Sequence, residues 1–409
     1  MRIMSFICAV ALLTACARSP SSSSHTFRVF TEDGVTIAQT SGGPKYEGEL
    51  FTYTHVATIQ QDPSRPESLL HRPDPHIAMD AEGLIYIADT GNHRIAVFDA
   101  SGRYLRSFGH QGAGPGEFRR MRILTLTGDR LVVWDDALQR TTVFTTTGEL
   151  VTIYSHSLSP HDRISELHCL NEETLIGLNP LHGDGSTRAL AGIRGTILTP
   201  GGDTLAVIET PLVESSQQIY SRETGLRVGM SINFAGRACL LPVPDRGIYI
   251  TTGIEPEVLV HDIDGSLRQI IRLDQPTEPV TSRDKRYIRK LIRRRRDETE
   301  SEAGRARDTA WLKNLRLPTH KAFWSDIRTD DCGYLWLLYP TRALTLEDTG
   351  LVFRVISPAG EYLGDTKWPI PDGSLGRGHL LTIRGNEETG ETIREVYRID
   401  SNQQGFVYP

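Results

Sequence analysis

The strongest constraint on this chain is an internal repeat. Sliding residues 77–108 by 46 positions lays them on 123–154 without a gap, so that Ile77 falls on Ile123, Asp89 on Asp135, Arg94 on Arg140, Val97 on Val143, Phe98 on Phe144 and Gly102 on Gly148. Apolar matches such as Ile85 with Leu131 and Ile87 with Val133 lie between them and alternate, as strand residues do. Turn chemistry at Asn92-His93 and Ser101-Gly102 separates three consecutive antiparallel strands, and Tyr104 to Phe108 supplies a fourth. A third copy lies at 248–267, where Thr252 and Glu257 replace the Asp and the Arg. Weaker copies occupy Thr174 to Leu178 with Ile193 to Ile208, Tyr334 to Leu338 with Val352 to Leu363, and His379 to Ile383 with Thr392 to Ile399. A period of this length with four strands per unit belongs to blade-type arrays, not to solenoids with a helix in each repeat.

The last copy is short of strands, while Gly34 to Thr40 and His55 to Gln60 supply spare ones ahead of the first. Circular closure accounts for both and leaves no open sheet edge. The expected fold class is therefore all-β: a six-bladed β-propeller whose N-terminal strands close the last blade, with a helical insertion near 280–316. In that insertion, bounded by residues 276 and 318, Tyr287, Ile288, Leu291 and Ile292 share one helix face, and Trp311, Leu312 and Leu315 share another.

The run Ile85-Tyr86-Ile87-Ala88-Asp89, Asn92-His93-Arg94-Ile95, Val97-Phe98-Asp99 and then Gly102 resembles the NHL repeat. The stretch from Gly109 to Phe118 is similar to the inter-blade connection of bacterial six-bladed propeller lipoproteins. This resemblance implies a binding surface on one face of the disc and a central channel. It implies no single chemistry, because propellers of this kind serve as adhesion platforms, lactonases and lyases alike.

The N-terminus reads as an address. Arg2 precedes an apolar run from Ile3 to Leu13, too short for a membrane span of about 20 residues. Residues 1–15 are thus expected to be an export signal. Leu13-Thr14-Ala15-Cys16 resembles the lipobox of bacterial lipoproteins, which implies acylation of Cys16 and a membrane partner through that anchor. Residues 16–26, with the serines Ser21 to Ser24, have nothing to bury and read as a lipidated flexible tether to a propeller over 27–409. By the same resemblance, Ala17 implies the outer membrane of the bacterial cell envelope. Cys169, Cys239 and Cys332 of the mature chain form no CxxC pair and read as buried thiols.

Charge is unevenly spread. With 45 basic and 51 acidic residues the net charge is -6, which argues against nucleic acid as a partner. Yet Arg283 to Arg296 holds nine cations against the single acid Asp284. One reading is an anionic partner held by Arg289, Lys290, Arg293, Arg294, Arg295 and Arg296; the other is a solvated helix face answered by Asp297, Glu298, Glu300 and Glu302.

Other candidates point to structure. Asp89 with Arg94 and Asp135 with Arg140 could be a charged site, but repetition across a tight turn suits pairs between neighbouring strands. Gly112, Gly114 and Gly116 lack the Lys-Ser/Thr of a phosphate cradle and read as a loop. His71 and His76 sit among prolines, and His156, His161 and His168 are scattered, so no metal ligands are assigned. Asp262-Ile263-Asp264-Gly265 lacks the later ligands of a calcium loop and reads as a hairpin turn. No GxSxG or HExxH motif occurs. These observations favour a non-catalytic binding module for a protein, peptide or glycan, with no cofactor. The alternative is a metal-dependent propeller enzyme of the lactonase or lyase type, with calcium in the central channel.

Overall fold

Each copy of the repeat folds into one antiparallel sheet, and six such sheets stand around a common axis as the blades of a propeller. The computed structural model describes residues 24–73, 77–156, 164–171, 173–182, 188–220, 227–340, 351–370, 373–385 and 392–408. Blade one comprises Ile77–Met79, Ile85–Asp89, Arg94–Phe98 and Tyr104–Phe108, in that order from the axis outward. Blade two comprises Met121–Thr127, Arg130–Asp135, Arg140–Thr145 and Leu150–Ser155. Blades three, four and five start at the axis with Glu166–Asn171, Cys239–Val243 and Asp326–Thr329, and end outside with Thr204–Glu209, Leu267–Asp274 and Tyr362–Lys367. Blade six contributes Gly373–Gly376, His379–Gly385 and Thr392–Ser401.

The missing outer strand of blade six is Phe51–Thr58, which pairs antiparallel with Thr392–Ser401, His55 opposite Tyr397. Closure by the N-terminus is thus built, but by one strand. The other spare segment departs from the expectation: Val35–Ser41 pairs in parallel with Leu267–Asp274 on the outside of blade four, and Thr26–Glu32 folds back on it. Blade six has room for only one further strand, whereas the outer edge of blade four is open and carries the backbone groups that Val35–Ser41 needs. Between the two, Lys45, Tyr46 and Leu50 donate backbone hydrogen bonds to the carbonyls of Tyr362, Leu363 and Asp365 in blade five. The N-terminal segment therefore straps three blades together.

Both faces of every blade are covered. Ile85, Ile87, Ala96 and Phe98 pack with Leu381 and Val396 of blade six, whereas Tyr86, Ala88, Ile95 and Val97 pack with Leu131 and Val133 of blade two. Apolar clusters of this kind fill all the remaining junctions, up to Trp336, Phe353 and Trp368 between blades five and six. Each fully buried Ile, Val or Phe contributes about 1.5–3 kcal/mol, so the six junctions supply most of the driving force for ring closure. The turn before each outer strand touches the preceding blade. At Gly102 (φ +78°) a Cβ would collide with the carbonyl of Thr58, and at Gly148 (φ +98°) with the ring of Phe108, so glycine is required for both conformation and space.

A second repeated acid holds the inner turns. Asp80 accepts from the backbone of Glu82 and Leu84 and from the Tyr86 hydroxyl at 2.7 Å. Asp330 does the same in blade five with the backbone of Tyr334, the Trp336 indole and the Tyr408 hydroxyl. Burial pushes the carboxyl of Asp330 above the ordinary range despite these three donors.

Two insertions interrupt the ring. In blade three the strand Arg188–Leu198 is long enough to pair with Thr204–Glu209 through one half and with a hairpin, Val213–Tyr220 and Arg227–Ser231, through the other. After Asp274 the expected helical insertion forms α1, Ser282–Glu298, and α2, Glu302–Asn314. Its neck is closed by backbone bonds from Val280 to Thr319 and from Lys321 to Glu278. Thr281 and Asp284 form a capping box at the start of α1. Ile288 and Ile292 are buried with Phe234 and Val280, with Tyr287, Leu291, Trp311, Leu312 and Leu315 packed around them, as the periodicity predicts.

Candidate functional site

The connections between blades run over the disc face where the innermost strands begin, and the repeated Asp and Arg fasten them there. Asp89 accepts from the backbone of His71 at 2.7 Å and pairs with Arg94 at 2.9 Å, while Arg94 donates to the carbonyl of Leu69. At the equivalent position Asp135 accepts from four backbone amides, those of Arg119, Arg120, Ala137 and Leu138. Arg140 turns away from it and donates to the carbonyls of Ala113, Gly114 and Glu117. Both pairs therefore clamp an incoming connection onto its blade. The glycine run does wrap an anion, but it is the chain's own: Gly114 donates at 2.7 Å to Glu117, whose carboxyl this bond holds below its usual range, and a Cβ at Gly112 would strike that carboxylate.

On the same face, between blades four and five, lies a cleft of about 310 Å³, near the lower limit for ligand pockets. Its floor is the connection Ile232 to Arg237, which ends at the first strand of blade four, together with Ser325 and Asp326 at the first strand of blade five. Leu338, Tyr339, Pro340 and Leu351 form one wall, Ser215 and Ser231 of the hairpin form another, and α1 closes it with Ile288. Thus both insertions are spent on building one concavity. Both polar and apolar groups line it.

The polar groups differ in their commitments. Asp326 accepts from the Ile327 backbone at 3.0 Å and lies 3.7 Å from Arg328. Arg237 is exposed, and the Tyr339 hydroxyl donates to Glu278. Asn233 Oδ1 is buried and has no hydrogen-bond partner among the described residues. Cys239 beside the cleft is no nucleophile: burial, with the charge of Asp326 adding to it, pushes its thiol up to about 12.

The other sequence candidates scatter. His156 is buried against Trp134 and 3.1 Å from the Thr141 hydroxyl, burial lowering its pKa; His168 lies 3.6 Å from Glu166, and His71 is exposed. His76, His161 and Cys16 lie outside the described residues. Asp262 to Gly265 form the expected turn, closed by the Gly265 amide on Asp262. Among the described residues no three His, Cys, Asp or Glu side chains converge as metal ligands would, and the cleft itself offers only the carboxylate of Asp326.

The basic stretch divides. Arg295, itself half exposed, reaches to 2.9 Å from the buried carboxylate of Asp308 and lies over the Trp311 ring, while Arg294 pairs with Glu298 and Arg296 with Asp297. Arg289, Lys290 and Arg293 are exposed on the outer side of α1, away from the cleft. Sequence reasoning passed over Asn233, Arg237, Asp326 and Tyr339. The one trace of them is the turn-like run Asn233-Phe234-Ala235-Gly236-Arg237, whose glycine is pressed against the carbonyl of Thr252.

No curated protein matches the chain. Among solved structures, a Bacteroides fragilis protein described as exported is 10% identical, covering 89% of this chain and 99% of its own at a TM-score of 0.48. A DUF4221 family member from Bacteroides vulgatus is 11% identical, covering 87% and 100% at 0.42. A gluconolactonase from Xanthomonas campestris is 11% identical, covering 80% and 84% at 0.34. A family model, DUF5128, described as a 6-bladed beta-propeller, matches residues 74–165, the span of blades one and two, and the chain as a whole is a six-bladed β-propeller.

Proposed function

We propose that this propeller is a non-catalytic binding module of the bacterial cell envelope, tethered through an acylated Cys16 at the outer membrane, which takes a protein, peptide or glycan into the cleft between blades four and five. The observation that carries this reading is a cleft assembled by two insertions and lined by Asn233, whose buried Oδ1 has no hydrogen-bond partner among the described residues. A buried acceptor without a donor costs about 1–3 kcal/mol, and a ligand N–H or O–H toward which the Asn233 amide turns would relieve that cost. Arg237 and Asp326 add one charge of each sign, which suits a polar ligand with both donors and acceptors.

Peptide and glycan arrays probed with the purified chain test the reading. Binders are expected to lose about tenfold in affinity with Asn233→Leu, the loss of one hydrogen bond to a buried group. Binders unaffected by Asn233→Leu and Asp326→Leu, or lactone turnover that a chelator abolishes, would overturn it. Mass spectrometry of the mature N-terminus checks the anchor: a diacylglyceryl-modified Cys16 is the expected result.

A further inference from the structure

The five cations Arg283, Arg286, Arg289, Lys290 and Arg293 recur at spacings of three, three, one and three residues, which places them on one side of α1. All five are exposed, and no ion pair is formed by any of them among the described residues. The opposite side holds Ile288 and Ile292, buried, and Arg295, bound to Asp308. At a rise of 1.5 Å per residue the row is about 15 Å long. Like charges at this spacing disfavour a helix, yet the chain holds them in register with a capping box at one end and the Arg295 to Asp308 pair near the other. A solvated helix has no need of such a one-sided row.

The place of this row in the molecule names its counterpart. His25, at the start of the described chain, is held 3.1 Å from Glu361 and 3.1 Å from the carbonyl of Gly43. Thr26 pairs with Ser41, and the Ser41 hydroxyl donates at 3.2 Å to Asp274, the residue from which the helical insertion departs. The tether and the helical insertion therefore leave the propeller beside each other at its rim. Ser24 is eight residues from Cys16, a reach of at most about 29 Å when fully extended.

We propose that the outer row of α1 docks on anionic phospholipid headgroups of the membrane that holds the anchor, fixing the tilt of the disc and keeping the cleft beside α1 at a set distance from the bilayer. This rests on the anchored reading for its biological setting, but its chemistry is testable without it. A straight row of exposed cations along one helix side suits a laterally mobile charged surface better than a single folded partner.

The test uses the chain with Cys16→Ser, so that no acyl chain contributes, sedimented with phosphatidylcholine vesicles containing phosphatidylglycerol. Binding is expected at low salt, to fade as the screening length falls from about 10 Å to about 3 Å between 0.1 and 1 M. Replacing all five cations by Gln should reduce partitioning about tenfold or more, while Arg294→Gln with Arg296→Gln, whose partners are on the helix itself, should leave it within about twofold. Arg289→Gln with Arg293→Gln provides a milder variant whose folding is checked by its unchanged melting temperature. Equal binding by the five-site variant, equal loss in the paired-arginine variant, or binding to heparin without binding to vesicles would overturn the proposal. An unmodified Cys16 in the wild-type chain would instead remove the anchor and leave the vesicle result standing.

Discussion

Asp89 and Asp135 occupy one position of the repeat and do one job through different partners, a guanidinium and two amides in the first blade and four backbone amides in the second. Their position was legible because strand pairing fixes it; their partners were not, because these lie in connections that follow no repeat. Asp80 and Asp330 illustrate the reverse. They share an Asp-x-x-Gly pattern, Asp80 to Gly83 and Asp330 to Gly333, but blade two has nothing like it at the same offset, so sliding the sequence by one period conceals it. Glycine is where residue and neighbour are most tightly coupled. Gly102→Val would force a branched side chain into a left-handed conformation and against the closing strand at Thr58, so a loss of about 2–4 kcal/mol is expected in urea unfolding. A valine variant as stable as wild type would mean that this blade-to-blade contact is not made.

Among the elements, α1 and α2 owe their junction to one buried acid. Burial by itself raises the carboxyl of Asp308, but the bonds from Arg295 and Arg307 outweigh it and hold the group below its ordinary value. A depressed carboxyl contributes stability that is present above the unfolded value near 4 and is lost as pH falls through the folded value. Asp308→Asn should therefore destabilise the insertion by about 1–3 kcal/mol at neutral pH and flatten its acid loss, read from the pH dependence of hydrogen exchange in α1 and α2. The helices themselves were readable from their 3.6-residue periodicity, and so was the cationic run. What the sequence concealed was its division into an outward row and inward partners, because Asp308 answers Arg295 from the second helix while the nearer acids Glu300 and Glu302 do not. The hairpin of blade three was equally hidden, its strands Val213–Tyr220 and Arg227–Ser231 matching no copy of the repeat.

Across the whole molecule, ring closure was foreseen from the shortage of strands in the final copy, while the strap over blades four and five was not. The backbone bonds of Lys45, Tyr46 and Leu50 leave no hydrophobic pattern to read. That strap has a consequence for how the chain matures. Residues 26–58 are synthesised before any blade-one strand, yet every strand they join outside their own hairpin lies more than 200 residues downstream. This segment is thus made before its partners, and Phe51–Thr58 must wait unpaired until the last blade arrives. In pulse-labelled refolding, amides of Phe51–Thr58 should gain protection after those of Ile85–Asp89; simultaneous protection would mean that the wheel does not fasten itself with its own first thread.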